Sequence, residues 1–286
     1  MDDTSGNLTA VSEESECLSP SSPSAFASVP PRPPSQNFSE KYSPIDWTAY
    51  FDQEDDISIP DTDNVFHVYK AGSEGPVIFC LHGGGYSGMG GSVAVHIAAK
   101  RTLPSLAGLI VVDVVEGTAL ASLVHMQKIL SIRAKHFPSM VKAIEWSVKS
   151  GSLRNIDSAR VSIPATLKYD DSKKCFVHRA CLEETEQYWR GWYEGLSEKF
   201  LSSPVPKLLL LAGTDRLDRT LTIGQMQGKF QMVVVRHTGH AIQEDVPDEF
   251  ATLVLNFISR NRIGPHGIEI PGLRRPPKQK PQVDEN

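Results

Sequence analysis

Residues 76–91, PVIFCLHGGGYSGMGG, constrain the fold more than any other stretch of the chain. Val77, Ile78, Phe79, Cys80 and Leu81 form an apolar run of buried-strand length. The run breaks into glycine at Gly83-Gly84-Gly85 and re-enters as Ser92-Val93-Ala94-Val95-His96-Ile97-Ala98-Ala99, which reads as a helix. The glycines let backbone N–H groups converge on a ligand where a β-carbon would obstruct. A strand, a turn and a helix in this order place chemistry at the carboxyl edge of an α/β sheet.

The rest of the chain fits one such domain with appendages. It has 286 residues, 40% of them hydrophobic, enough for a substantial core. A net charge of −5 gives no reason to expect nucleic acid or an anionic membrane surface as a partner. Cys17, Cys80, Cys175 and Cys181 lack ligand spacing, so a reducing compartment and no metal or cofactor are expected. No secretory h-region or membrane span is evident, and the expected location is cytoplasmic or nuclear. Residues 1–40 are rich in Ser, Pro and Glu and too poor in apolar area to offset ordering entropy, so they read as a disordered arm. The domain is expected over 41–264, with a loose Pro- and Lys-rich tail over 265–286.

Within the domain, residues 64–69 alternate as a half-buried strand does, and 109–115 form a β-branched run suited to a sheet covered on both faces. A helix is expected to start at 116–119 and to include 123–129, and 137–160 reads as helical. Residues 161–181 have no clear period and are expected as loop. The aromatic group Tyr188, Trp189, Trp192 and Tyr193 suits core packing or a pocket wall. Buried strands follow at 207–213 and 230–235, and 246–260 reads as an amphipathic helix. The alternation predicts an α/β fold with a mostly parallel sheet.

Two chemistries fit the glycine turn. Gly83 to Gly88 satisfy Gly-x-Gly-x-x-Gly after a strand and before a helix, with Asp113 at the end of the next strand, as in dinucleotide binding. Alternatively, Ser87, Asp113 and His240 occur in the α/β-hydrolase order of nucleophile, acid and base, each after an apolar run. Serine would attack a carbonyl, histidine would take its proton, and the carboxylate would orient the imidazole. Backbone donors around Gly83, Gly84 and Met89 would hold the oxyanion. Asp215 also follows a strand and competes with Asp113 for the acid.

These residues resemble the protein phosphatase methylesterase family of α/β-hydrolases. The similarity runs through 76–86, 89–99, 112–119, 143–151, 189–201, 206–217, 221–232 and 239–241. It implies hydrolysis, without metal or cofactor, of the carboxyl-terminal methyl ester of the protein phosphatase 2A catalytic subunit. It also matches Asp113 to the family's acid and His240 to its histidine, in preference to Asp215. The chain departs from the family at the turn. There a long segment separates the His-Gly turn from a nucleophile elbow reading Gly-His-Ser-Met-Gly-Gly, whereas here the two are fused. The family's serine position falls on Gly88, Ser87 stands one residue early, and Met89 crowds the turn where Gly-x-Ser-x-Gly ends in glycine. Two strand-helix units of about 30 residues each are missing. The expectation is a reduced hydrolase sheet and impaired turnover, with an inactive phosphatase-binding chain as the alternative.

Overall fold

The computed structural model describes residues 38–83, 89–213 and 217–264. The expected arm and tail therefore lie almost wholly outside the described residues. The described chain starts with a helical turn, α1 (Phe38–Lys41), and a 3-10 turn (Trp47–Ala49) capped by the Asp46 carboxylate. The hairpin β1 (Gln53–Ser58) and β2 (Val65–Lys70) follows, antiparallel with Gln53 opposite Lys70. The Tyr69 ring stacks on Trp47 and Phe51.

The first correction to the sequence reading comes next. Residues 77–81 are not a strand, and Val77 and Phe79 are 93% and 73% exposed. Apolar composition suits a strand to a covered sheet but does not supply ladder partners, and a strand forms only where both are present. The segment instead crosses the start of α2 (Met89–Lys100), where Gly90 has no room for a β-carbon against the carbonyl oxygens of Leu81 and His82. Helix α2 starts three residues earlier than expected and buries Val95 and Ala98.

The next strand, β3 (Leu109–Val112), runs into α3 (Glu116–Ile132). The region read as helical over 137–160 opens on the end of a two-residue strand, β4 (His136–Phe137), and continues as α4 (Met140–Lys149), capped by the Ser139 hydroxyl. Helix α5 (Ile156–Thr166), capped by the Asn155 side chain, extends into the expected loop. A hairpin fills the rest of that loop: β5 (Leu167–Asp170) and β6 (Cys175–His178), with β6 pairing β4 on its other side. Asp170 Oδ1 builds the turn by accepting from the Ser172 and Lys173 N–H groups at 3.0 and 3.1 Å. The aromatic group lies in a 3-10 helix (Leu182–Tyr188) and in α6 (Trp189–Tyr193). Trp189 packs with Leu130 and Leu182, and Tyr193 joins the main core.

Helix α7 (Leu196–Ser202) then leads to β7 (Lys207–Leu211), followed by α8 (Arg219–Met226), β8 (Gln231–Val234), the single turn α9 (Ile242–Asp245) and α10 (Pro247–Arg260). Strands β3, β7 and β8 form a parallel sheet in that order, with Val112 opposite Leu210 and Leu211 opposite Val234. The alternating residues of β7 divide the core. Leu209 and Leu211 pack with Val95, Val111 and Phe200, while Leu208 and Leu210 pack with Val235, Ile242 and Phe257. Helices thus cover both faces, which explains why the central strand reads as an unbroken apolar run. Its first residue, Lys207, is buried and donates to the Ser203 and Val205 carbonyls at 2.7 and 3.2 Å; burial lowers its pKa.

Candidate active site

The carboxyl ends of the three parallel strands carry the candidate residues. The ladder continues one step past β3, where the Asp113 N–H donates to the Leu210 carbonyl at 2.7 Å. Asp113 then turns into the left-handed region at φ 52°, which aspartate tolerates better than most residues with a β-carbon. Its side chain is completely buried, with both oxygens engaged. Oδ1 accepts from the Ala212 N–H, just past β7, at 2.9 Å, and Oδ2 lies 2.8 Å from His240 Nδ1. Asp113 and His240 are 127 residues apart in sequence, and it is the β3-β7-β8 strand order that brings them into contact.

His240 lies in the connection from β8 to α9. Val235 extends the ladder by donating to Leu211 at 2.8 Å, Thr238 Oγ1 donates back to the Val235 carbonyl at 3.1 Å, and His237 turns the chain at φ 65°. The imidazole is 36% exposed. A carboxylate without a proton can only accept hydrogen bonds, so a His240 bonded to Asp113 Oδ2 would donate from Nδ1, the tautomer that leaves Nε2 open as an acceptor. The same engagement rules out the dinucleotide assignment of Asp113: a carboxylate with no exposed surface and two protein donors cannot reach a ribose.

Of the other candidates, Gly83 is described and exposed, and Met89 is the partly buried first residue of α2. Gly84 and Ser87 lie outside the described residues, as does Asp215. Sequence reasoning missed two acids that shape this edge. Glu116 accepts from the Gly195 and Ser197 N–H groups, both at 2.8 Å, and so tethers the start of α7 to the segment after Asp113. Asp245 accepts from the Gly239 N–H at 2.6 Å and from the Arg154 N–H at 2.8 Å. Neither sits in a motif; Asp245 shows in sequence only as half of an acidic pair five residues after His240.

Residues 10–253 match the model of the alpha/beta hydrolase family. Protein phosphatase methylesterase 1 of Homo sapiens is 37% identical to the chain over 331 residues, covering 77% of this chain and 86% of that protein. The chain belongs to the protein phosphatase methylesterase family of α/β-hydrolases. The Yarrowia lipolytica methylesterase is 48% identical over 174 residues (60% of this chain, 42% of that protein), and that of Schizosaccharomyces pombe is 45% identical over 174 residues (61% and 51%). An alignment of 331 positions fits 77% of a 286-residue chain only with long gaps on this chain's side. Among the described residues, the methylesterase-family sheet here keeps three parallel strands.

Proposed function

We propose that this chain is a serine carboxylesterase directed at the carboxyl-terminal methyl ester of the protein phosphatase 2A catalytic subunit, with turnover impaired by fusion of the glycine turn to the elbow. In this reading His240 is the general base and Asp113 orients it. Ser87 stands in as nucleophile, and donors around Gly83, Gly84 and Met89 serve the oxyanion. The carrying observation is the 2.8 Å contact between His240 Nδ1 and the fully buried Asp113 carboxylate. It supplies the acid–base half of a triad whatever the fate of the serine. Family membership supports the ester class, and the gaps in the alignment with the human methylesterase support the impairment.

A nucleophile displaced by one residue is poorly aligned with the base, and outright loss of a triad member typically costs about 10⁴-fold or more. The chain is therefore expected to release methanol from a methylated phosphatase carboxyl-terminal peptide orders of magnitude more slowly than a full-length relative. Labelling by a fluorophosphonate probe tests this directly. Fast labelling abolished by Ser87→Ala would overturn the impairment and show a recovered serine. Peptide binding with no labelling at all would favour a phosphatase-binding role, the reading that the displaced serine also supports.

A further inference from the structure

We infer that Asp245 is a positioning residue for His240, clamping the histidine loop through Gly239 and Arg154; this rests on the reading of Asp113 and His240 as the acid–base pair. Residues 236–241 leave the sheet, so the ladder no longer fixes their backbone, and the imidazole must still meet Asp113 within hydrogen-bond distance. Besides the Thr238 hydroxyl and Asp113 itself, Asp245 and Arg154 hold this loop. Asp245 Oδ2 takes the N–H of Gly239, the residue immediately before His240, at 2.6 Å. Its Oδ1 takes the Arg154 backbone N–H at 2.8 Å, and Arg154 Nη1 returns to the loop by donating to the His237 carbonyl at 2.8 Å. The loop is thus gripped one and three residues ahead of the imidazole.

The clamp is itself anchored. Asp245 ends the turn α9, whose Ile242 is fully buried with Leu208, Leu210 and Phe257, and its N–H donates to the Ala241 carbonyl at 2.9 Å. The neighbouring Glu244 accepts from the Ser162 hydroxyl of α5 at 2.6 Å. The Asp245 side chain is 2% exposed. A buried carboxylate is costly to keep and is tolerated where its oxygens accept hydrogen bonds, and here both donors are backbone N–H groups, one of them in the loop itself. Arg154 adds charge at 3.9 Å, but its side chain is half exposed, so the backbone hydrogen bonds carry the effect. The fit at Gly239 is close: a β-carbon there would lie 3.2 Å from Asp245 Oδ2.

The test reads the tautomer of His240 rather than turnover. Ring-nitrogen NMR shifts of the full chain, recorded where histidines are neutral and assigned by loss of the signal in His240→Ala, report which nitrogen bears the proton. The parent is expected in the Nδ1–H form set by Asp113. Asp245→Ala is expected to shift the balance at least about tenfold toward the Nε2–H form, while exposed His125 and His136 stay unchanged. Asp245→Asn offers one carbonyl oxygen to two N–H donors, and Arg154→Ala releases only the His237 carbonyl. Both are expected to give smaller shifts in the same direction, and they decide the matter if Asp245→Ala does not fold. A retained Nδ1–H form in the folded Asp245 and Arg154 variants would overturn the positioning role and leave the acid–base pair standing. A parent already in the Nε2–H form would overturn the pair and the clamp together.

Discussion

Two apolar runs of equal length meet opposite fates in this molecule. Lys207–Leu211 is buried at every position, while residues 77–81 lie on the surface. Both are five residues long and nearly free of polar side chains. What separates them is their neighbours: β7 has β3 on one side, β8 on the other and helices on both faces, whereas 77–81 has no ladder partner among the described residues. Composition therefore makes a segment eligible for a sheet, and hydrogen-bonding partners admit it.

The sharpest way to break this comparison is to cut the same kind of side chain in each run. Leu210→Ala removes a side chain with no exposed surface from the middle of the sheet and is expected to cost about 2–5 kcal/mol. Ile78→Ala, on the exposed run, is expected to stay within about 0.5 kcal/mol of the parent. Urea unfolding of the two variants checks both values, and equal losses would mean that 77–81 is packed after all. Next in size is Asp113→Ala, which strands the Ala212 N–H at the end of the central strand and is expected to cost about 1–3 kcal/mol in the same measurement.

Thiol accessibility sharpens the contrast without any substitution. Cys80 on the exposed run should react with a maleimide in the folded protein well before buried Cys175 of β6, as mapped by mass spectrometry. Protection of Cys80 until unfolding would place its segment inside a sheet.

The fold was legible where each element carries its own partners' signature. The leucines of β7 and the β-branched residues of β3 announce strands covered on both sides, and Asp113 and His240 stand just beyond strand ends in hydrolase order. The failure at 77–81 has a physical cause, because the residues that would pair with a strand are not written in the strand. The hairpin over 167–178 was missed for a different reason. Its strands have four residues each, too few for a period to show, although Asp170, Asp171 and Ser172 do carry a turn signal. Asp245 was illegible because its donors, the Gly239 and Arg154 N–H groups, are backbone atoms that any sequence provides.

The smallest predicted effect lies away from both runs and checks that surface charge plays little part in the difference. Glu145 on α4 accepts from Lys142 at 2.7 Å and Lys149 at 2.5 Å; the hydrogen bonds from Lys142 and then Lys149 hold its pKa down at about 2. A lowered carboxylate stabilises the fold above its ordinary pKa of 4.5, and the gain is lost as pH falls toward 2. Glu145→Gln should therefore lower stability slightly at neutral pH, leave it almost unchanged near pH 2 and so flatten the acid limb of the profile, as thermal melts across that range would show.

Asp113 also acts as a gauge of strand register. Its N–H reads the Leu210 carbonyl and its side chain reads the Ala212 N–H, so one residue measures two points two positions apart, one in β7 and one just past it. If β3 slipped along β7 by one residue, the inward and outward faces would exchange and both readings would fail at once. A misaligned molecule would then present His240 with no carboxylate at all. Alignment of the sheet and the Asp113–His240 contact are thereby tied together, because the register that seats Asp113 on Leu210 and Ala212 is the one that holds its carboxylate against the imidazole.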